Sequence, residues 1–240
     1  MKALGLFAAA GGAVKQHELL YVWDQATFEA KAIIFCLAVF SVMAWSVMIA
    51  KTLQMRRARK LNHFFNAEYR AQKHVLEVFD RRVQAEGCPL FMVYQAGSVE
   101  LDARLKNPEG GRKKQVSLKG IEHVKRTLEN TVARESLKLE SGLILLAIAV
   151  SGGPFLGLLG TVWGVMSTFG HVAQQQSASL TAMAPGVAAA LITTVAGLLV
   201  AIPSMFGYNW LVHNLRVQTV ELDNFAQDLI SKVETEYLED

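Results

Sequence analysis

Thr161, Thr193 and Thr194, with Ser167 and Thr168 nearby, carry hydroxyls in a stretch without charge. Residues 141–215 are 75 consecutive positions lacking Asp, Glu, Lys and Arg. A hydroxyl donates and accepts hydrogen bonds, and in a helix it can bond the carbonyl four residues back, so it is tolerated in lipid. Taken singly, each of these residues reads as satisfied within its own helix. Taken together, Thr161 and Thr194 fall mid-span on faces flanked by glycine. Hydroxyls gathered there from several copies of the chain would solvate an ion or hold a carboxylate from another protein. The acid itself is missing. Ionisable groups inside a membrane are costly and functional, and a proton path needs one, so this chain would depend on a second subunit to supply it. The sequence has no nucleophile beside a base, no phosphate loop and no zinc spacing. No enzyme activity, metal or cofactor is expected.

The elements that position these hydroxyls are membrane spans, each needing about 20 apolar residues. The first covers residues 32–50, between Lys31 and Lys51. The second runs from near 143 to 169 and the third from near 185 to 212. At helical rise the last two are each roughly 40 Å long, which predicts tilt or overrun of the hydrocarbon layer. Pro185 is placed as a first-turn proline, and Pro154 and Pro203 as interior kinks. Span two carries Gly153, Gly157, Gly160 and Gly164. Span three repeats the theme with Ala190, Thr194, Gly197, Ala201 and Ser204. Small residues three and four apart let helix backbones approach closely in lipid, so these stripes predict packing between spans and between subunits.

The rest of the chain sets topology. Residues 52–140 hold 18 Lys and Arg against 11 Asp and Glu, and residues 216–240 hold two against seven. Lys51, Arg56, Arg57, Arg59 and Lys60 follow the first span, and Lys125, Arg126, Arg134 and Lys138 precede the second. Residues 171–182 have none. By the positive-inside tendency, the division is 1–31 periplasmic or interfacial, 32–51 first span, 52–140 cytoplasmic, 141–170 second span, 171–182 periplasmic turn, 183–212 third span and 213–240 cytoplasmic helix. The bases are interleaved with acids, which argues against nucleic acid. Ile121, Val124, Leu128 and Val132 predict a helix leading into span two, and Leu211, Leu215, Leu222, Phe225 and Leu229 extend a seam past span three. Asn107 to Gly111 should split the loop into two helical parts. Cys36 and Cys88 are expected not to pair. The first ten residues fit either a retained interfacial segment or a cleaved signal. The fold class is an all-α membrane protein, three transmembrane helices with long helical cytoplasmic extensions.

The segment Pro154-Phe155-Leu156-Gly157-Leu158-Leu159-Gly160-Thr161-Val162-Trp163-Gly164-Val165-Met166 resembles the second-span signature of the ExbB/TolQ family, relatives of the flagellar stator protein MotA. Ala184-Pro185-Gly186-Val187-Ala188-Ala189-Ala190-Leu191-Ile192-Thr193-Thr194, continuing through Pro203 to Asn209, resembles its third-span signature. The finer similarity leans towards TolQ. The resemblance implies a homopentamer in the bacterial inner membrane around a dimer of a single-span ExbD/TolR-like partner that supplies an aspartate. Ion flow would drive the partner and, through it, a periplasm-spanning TonB/TolA-like protein. Thr161 and Thr194 match the positions that face that aspartate. The family's carboxylate in the Ala-Pro-Gly stretch is replaced here by Ala189, and Thr193 adds a hydroxyl that raises sodium as an alternative ion. Because of Ala189, a non-conducting scaffold or signalling relative is the rival function. A transporter of soluble substrates would need an inverted repeat and broken helices, which the sequence does not suggest.

Overall fold

A computed structural model of the 240-residue chain describes residues 23, 27–107, 111–175 and 179–238. Among these there are six helices: α1 (Phe28–Arg70), α2 (Glu77–Asp80), α3 (Pro89–Leu105), α4 (Leu118–Glu140), α5 (Leu143–Gln175) and α6 (Leu180–Tyr237). Extended pairing among the described residues is confined to the single bridges Lys106–Arg112 and Val116–Leu238. The expectations about the first 22 residues and about residues 108–110 lie outside the described residues. The chain divides into two compact units, one of residues 1–48 and 143–208, the other of residues 49–142 and 209–240.

The first unit holds the apolar parts of α1, α5 and α6. Their most apolar 18-residue windows have mean hydropathy of 2.5, 2.1 and 2.1. A helix so apolar on every side needs lipid or other helices as its solvent. Only 11% of the α1 window and 33% of each of the others is buried. Phe35, Phe155, Val162, Leu199 and Phe206 remain more than half exposed.

What is buried in this unit is the α5–α6 contact, and glycine makes it possible. A Cβ added to Gly153 would sit 3.0 Å from the Gly197 carbonyl oxygen. One added to Gly157 would sit 2.9 Å from the Thr193 carbonyl oxygen and 3.0 Å from the Thr194 Cα. One added to Gly164 would sit 2.7 Å from the Ala190 Cβ. Gly160 abuts the Thr193 side chain, and Gly197 abuts the Gly153 backbone. The two backbones therefore touch over about three turns of helix, from Gly153 to Gly164.

Two sequence expectations are corrected here. Pro185 is not in a first turn: α6 begins at Leu180, and Pro185 and Pro203 both lie inside it. Membrane helices tolerate interior proline because neighbouring groups re-satisfy the freed carbonyl. Nor does α4 lead unbroken into the second span. It ends at Glu140, Ser141 is its C-cap, and Gly142 adopts φ +84° before α5 starts. That left-handed conformation is one glycine adopts without strain.

The second unit is a helical bundle. Ile121, Val124, Leu128 and Val132 of α4 are all buried at the predicted spacing. They share a core with Leu101 and Leu105 of α3 and with Leu222, Phe225 and Leu229 of α6. Aromatic rings from three helices pack edge to face at its centre. Phe65 lies 5.5 Å from Phe91, and Tyr69 lies 5.2 Å from Phe225. The Tyr94 hydroxyl donates to the Val75 carbonyl at 2.7 Å and accepts from the Phe79 N–H at 2.9 Å, fixing the segment before α2. The segment between α1 and α4 thus holds two further helices, α2 and α3. The chain turns between them, with Arg82 at φ +51° and Gly87 at φ +80°.

Lys51 is buried in this unit without a carboxylate. Its ammonium donates to Gln54 Oε1 at 2.9 Å, the Leu139 carbonyl at 3.2 Å and Ser141 Oγ at 3.3 Å. The last carbonyls of a helix carry partial negative charge, so a single cation caps α4. Cys36 and Cys88 are both free thiols.

Candidate functional site

Thr161 on α5 and Thr194 on α6 meet across the α5–α6 contact. Their Oγ1 atoms are 2.7 Å apart, the usual length of an O–H···O bond. Both side chains are half-buried, so one side of the pair is open to whatever covers the helices. The sequence pattern explains the approach. Gly157, one turn before Thr161, lets the α6 backbone come close enough for short side chains to touch.

The two hydroxyls share an acceptor. The Gly157 carbonyl oxygen lies 3.1 Å from Thr161 Oγ1 and 3.1 Å from Thr194 Oγ1. Thr161 also reaches the Leu158 carbonyl at 3.0 Å. The pair therefore has several internal bonding patterns of similar geometry. Its unused lone pairs can accept, and a rotated hydroxyl can donate outwards.

Thr193 is placed differently from its neighbour. The sequence reading put it with Thr161 and Thr194 on the ion path. Here it is 0% exposed, with its hydroxyl 3.0 Å from the Gly157 carbonyl oxygen and 2.7 Å from that of Ala190. Adjacent helical residues point about 100° apart, so one threonine of the pair faces inward when the other faces out. Thr168, also singled out by its hydroxyl, donates to the Gly164 carbonyl at 2.7 Å and lies against Gly186.

Ala189 is buried, at 4% exposure, against Ala30 of α1. The position where the resemblance places a carboxylate is thus roofed within the same chain by a methyl group. The Gly157 carbonyl is the feature that residue types alone did not reveal. Its signal was indirect, a glycine four residues before a threonine within an apolar helix.

Three apolar helices, two of them packed through glycine beside a neutral hydroxyl pair, define an all-α integral membrane protein. The chain belongs to the MotA/TolQ/ExbB proton channel family, whose pattern matches residues 101–224. The match takes in both Thr161 and Thr194. The chain is 32% identical over 189 residues to the Tol-Pal system protein TolQ of Pseudomonas aeruginosa, covering 78% of this chain and 79% of that one. It is 31% identical over 212 residues to TolQ of Haemophilus influenzae, covering 85% and 88%. It is 44% identical over 113 residues to the biopolymer transport protein ExbB of Xanthomonas campestris pv. campestris, covering 47% and 45%.

Proposed function

We propose that this chain is an inner-membrane stator and ion-channel subunit that holds, between copies of itself, the membrane aspartate of a single-span ExbD/TolR-like partner. The observation that carries the reading is the half-buried Thr161–Thr194 pair, 2.7 Å apart within a stretch, residues 141–215, that holds no acid. Such a pair can donate to a carboxylate and accept from a carboxylic acid. It therefore favours neither protonation state outright, as a site that loads and releases protons requires. Hydrogen bonds to the charged form lower a carboxyl pKa, and an apolar surround raises it. A hydroxyl pair in lipid sets these two effects against each other.

In this reading several copies, five by family resemblance, surround the partner. The N-terminus is periplasmic, and the basic segment and the C-terminal helix are cytoplasmic. Proton flow moves the partner, and the partner works on a TonB/TolA-like protein that spans the periplasm. The relatives are named for the Tol-Pal system and for biopolymer transport, and both names fit force delivered across the envelope. Protons are favoured over sodium because Thr193, the additional hydroxyl, is wholly buried and adds no ligand to the open side.

The test is flux. The full chain is co-reconstituted in liposomes with an aspartate-bearing single-span subunit, and a potential is applied. Proton uptake is expected, and Thr161→Val or Thr194→Val should reduce it at least tenfold. The second reading, a non-conducting scaffold, is favoured by Ala189 being packed under Ala30. No flux from the unmodified chain, with the partner bound, would establish it instead.

A further inference from the structure

The Gly157 carbonyl has more protons within reach than it can accept. A carbonyl oxygen has two lone pairs. The helical N–H of Thr161 occupies one direction. Three hydroxyls compete for the rest, those of Thr161, Thr193 and Thr194, at 3.1, 3.0 and 3.1 Å. Their alternatives differ. Thr161 can turn to the Leu158 carbonyl at 3.0 Å, and Thr193 to the Ala190 carbonyl at 2.7 Å. Among the described residues, Thr194 has only Thr161 Oγ1 besides the Gly157 carbonyl.

The side chain of Thr193 is held by packing. A Cβ added to Gly160 would lie 2.6 Å from the Thr193 Cβ and 2.9 Å from its Cγ2. With 0% exposure it cannot reach a ligand. We propose that Thr193 is a positioning residue: its hydroxyl fills the Gly157 carbonyl and so leaves the proton of the half-exposed Thr194 hydroxyl free to turn outwards to a carboxylate. This rests on the reading of Thr161 and Thr194 as the holders of a partner's acid. It assigns Thr193 the role of setting how strongly they donate.

The setting is electrostatically quiet. Between residues 141 and 215, α5 and α6 carry no Asp, Glu, Lys or Arg. Their titratable side chains there are His171, Tyr208 and His213, each at least ten residues along its helix from the nearer threonine of the pair. On α1, residues 32–50 contribute Cys36 alone. A carboxylate at the pair therefore responds mainly to hydroxyl donation and to the apolar surround.

The test places the full chain in lipid nanodiscs with a synthetic single-span peptide. The peptide carries one mid-span aspartate, labelled with 13C at its carboxyl, and its titration is followed by NMR. Thr193→Val keeps the shape and removes the donor. Thr194 then falls back on the Gly157 carbonyl, the carboxylate loses donation, and its pKa should rise by about 0.4 to 1 pH unit, the worth of one net hydrogen bond. Thr193→Ser should restore the wild-type midpoint. A midpoint unchanged in Thr193→Val, while Thr161→Val and Thr194→Val shift it, overturns the proposal and leaves the site reading standing. A midpoint that none of the four variants moves overturns the site reading itself. If Thr193→Val and Thr193→Ala both fail to fold while Thr193→Ser folds with an altered midpoint, Thr193 is a packing residue and the proposal fails.

Discussion

Gly157→Ala should uncouple the hydroxyl pair without touching either hydroxyl. The added methyl would lie 2.9 Å from the Thr193 carbonyl oxygen and 3.0 Å from the Thr194 Cα. Both are backbone atoms and cannot swing aside. Comfortable contacts for carbon begin near 3.5 Å, so α6 must move off α5 by about 0.5 to 1 Å. The Thr161–Thr194 separation, now 2.7 Å, would open to about 3.2–3.7 Å, beyond the normal range for O–H···O bonds. Overpacking of this kind costs roughly 1–3 kcal/mol. Replacing glycine by alanine in a helix returns up to about 1 kcal/mol, so the comparison needs a control that carries only that gain. Gly152→Ala and Gly170→Ala are such controls, because a Cβ at either meets nothing within 4 Å. Thermal unfolding in nanodiscs should place Gly157→Ala about 1–3 kcal/mol below Gly152→Ala, and proton flux in liposomes should fall with it. If Gly157→Ala matches the controls in both measurements, the close approach at Gly157 is not what holds the two threonines together.

Three further outcomes are expected. Ala189→Glu puts a carboxyl at a position buried to 4% under Ala30, with no charged partner in residues 141–215. It should lower the unfolding temperature of the isolated chain, since burying an acid is strongly unfavourable; an unchanged melt would show that α1 yields there or that Lys31, next to Ala30, pairs with the new acid. Lys51→Met strips the α4 C-terminus of its donor to the Leu139 carbonyl, Gln54 and Ser141, and should cost about 1–3 kcal/mol in denaturant unfolding. Equal midpoints for Lys51→Met and the parent would refute the cap. Arg112 bonds Asp80 at 2.6 and 2.8 Å and holds its carboxyl below the usual range. The stability this lends is present above the ordinary carboxylate pKa and is lost as pH falls through the lowered one. Arg112→Gln should bring the Asp80 titration back up, read by NMR, with only a small effect on stability because the pair is largely exposed.

How far the sequence revealed these features depended on whether local composition or helical phase decided them. The spans were plain because 75 residues without charge have few other uses, and the α5–α6 contact was plain because glycine four apart marks close backbones. The α4 face was plain from its three-and-four spacing. That Thr193 turns inward was not legible in this way, although the stripe through Thr194 was. On α6, Ala190, Thr194 and Gly197 form one small-residue spacing, and Ala190, Thr193 and Gly197 form another just as regular. Which threonine turns inward depends on the rotation of α6 against α5, and that is set by where Gly157 and Gly160 receive it. Lys51 was read as the charged end of a span, because its actual partners are carbonyls, which every residue has and no residue type announces. The bundle's aromatic centre was hidden for a related reason: Phe65, Phe91 and Phe225 lie on three helices far apart in the chain. The Thr161–Thr194 pair was legible as two polar residues in apolar helices. The carbonyl that orients it was not, because backbone groups become specific only after packing has brought donors to them.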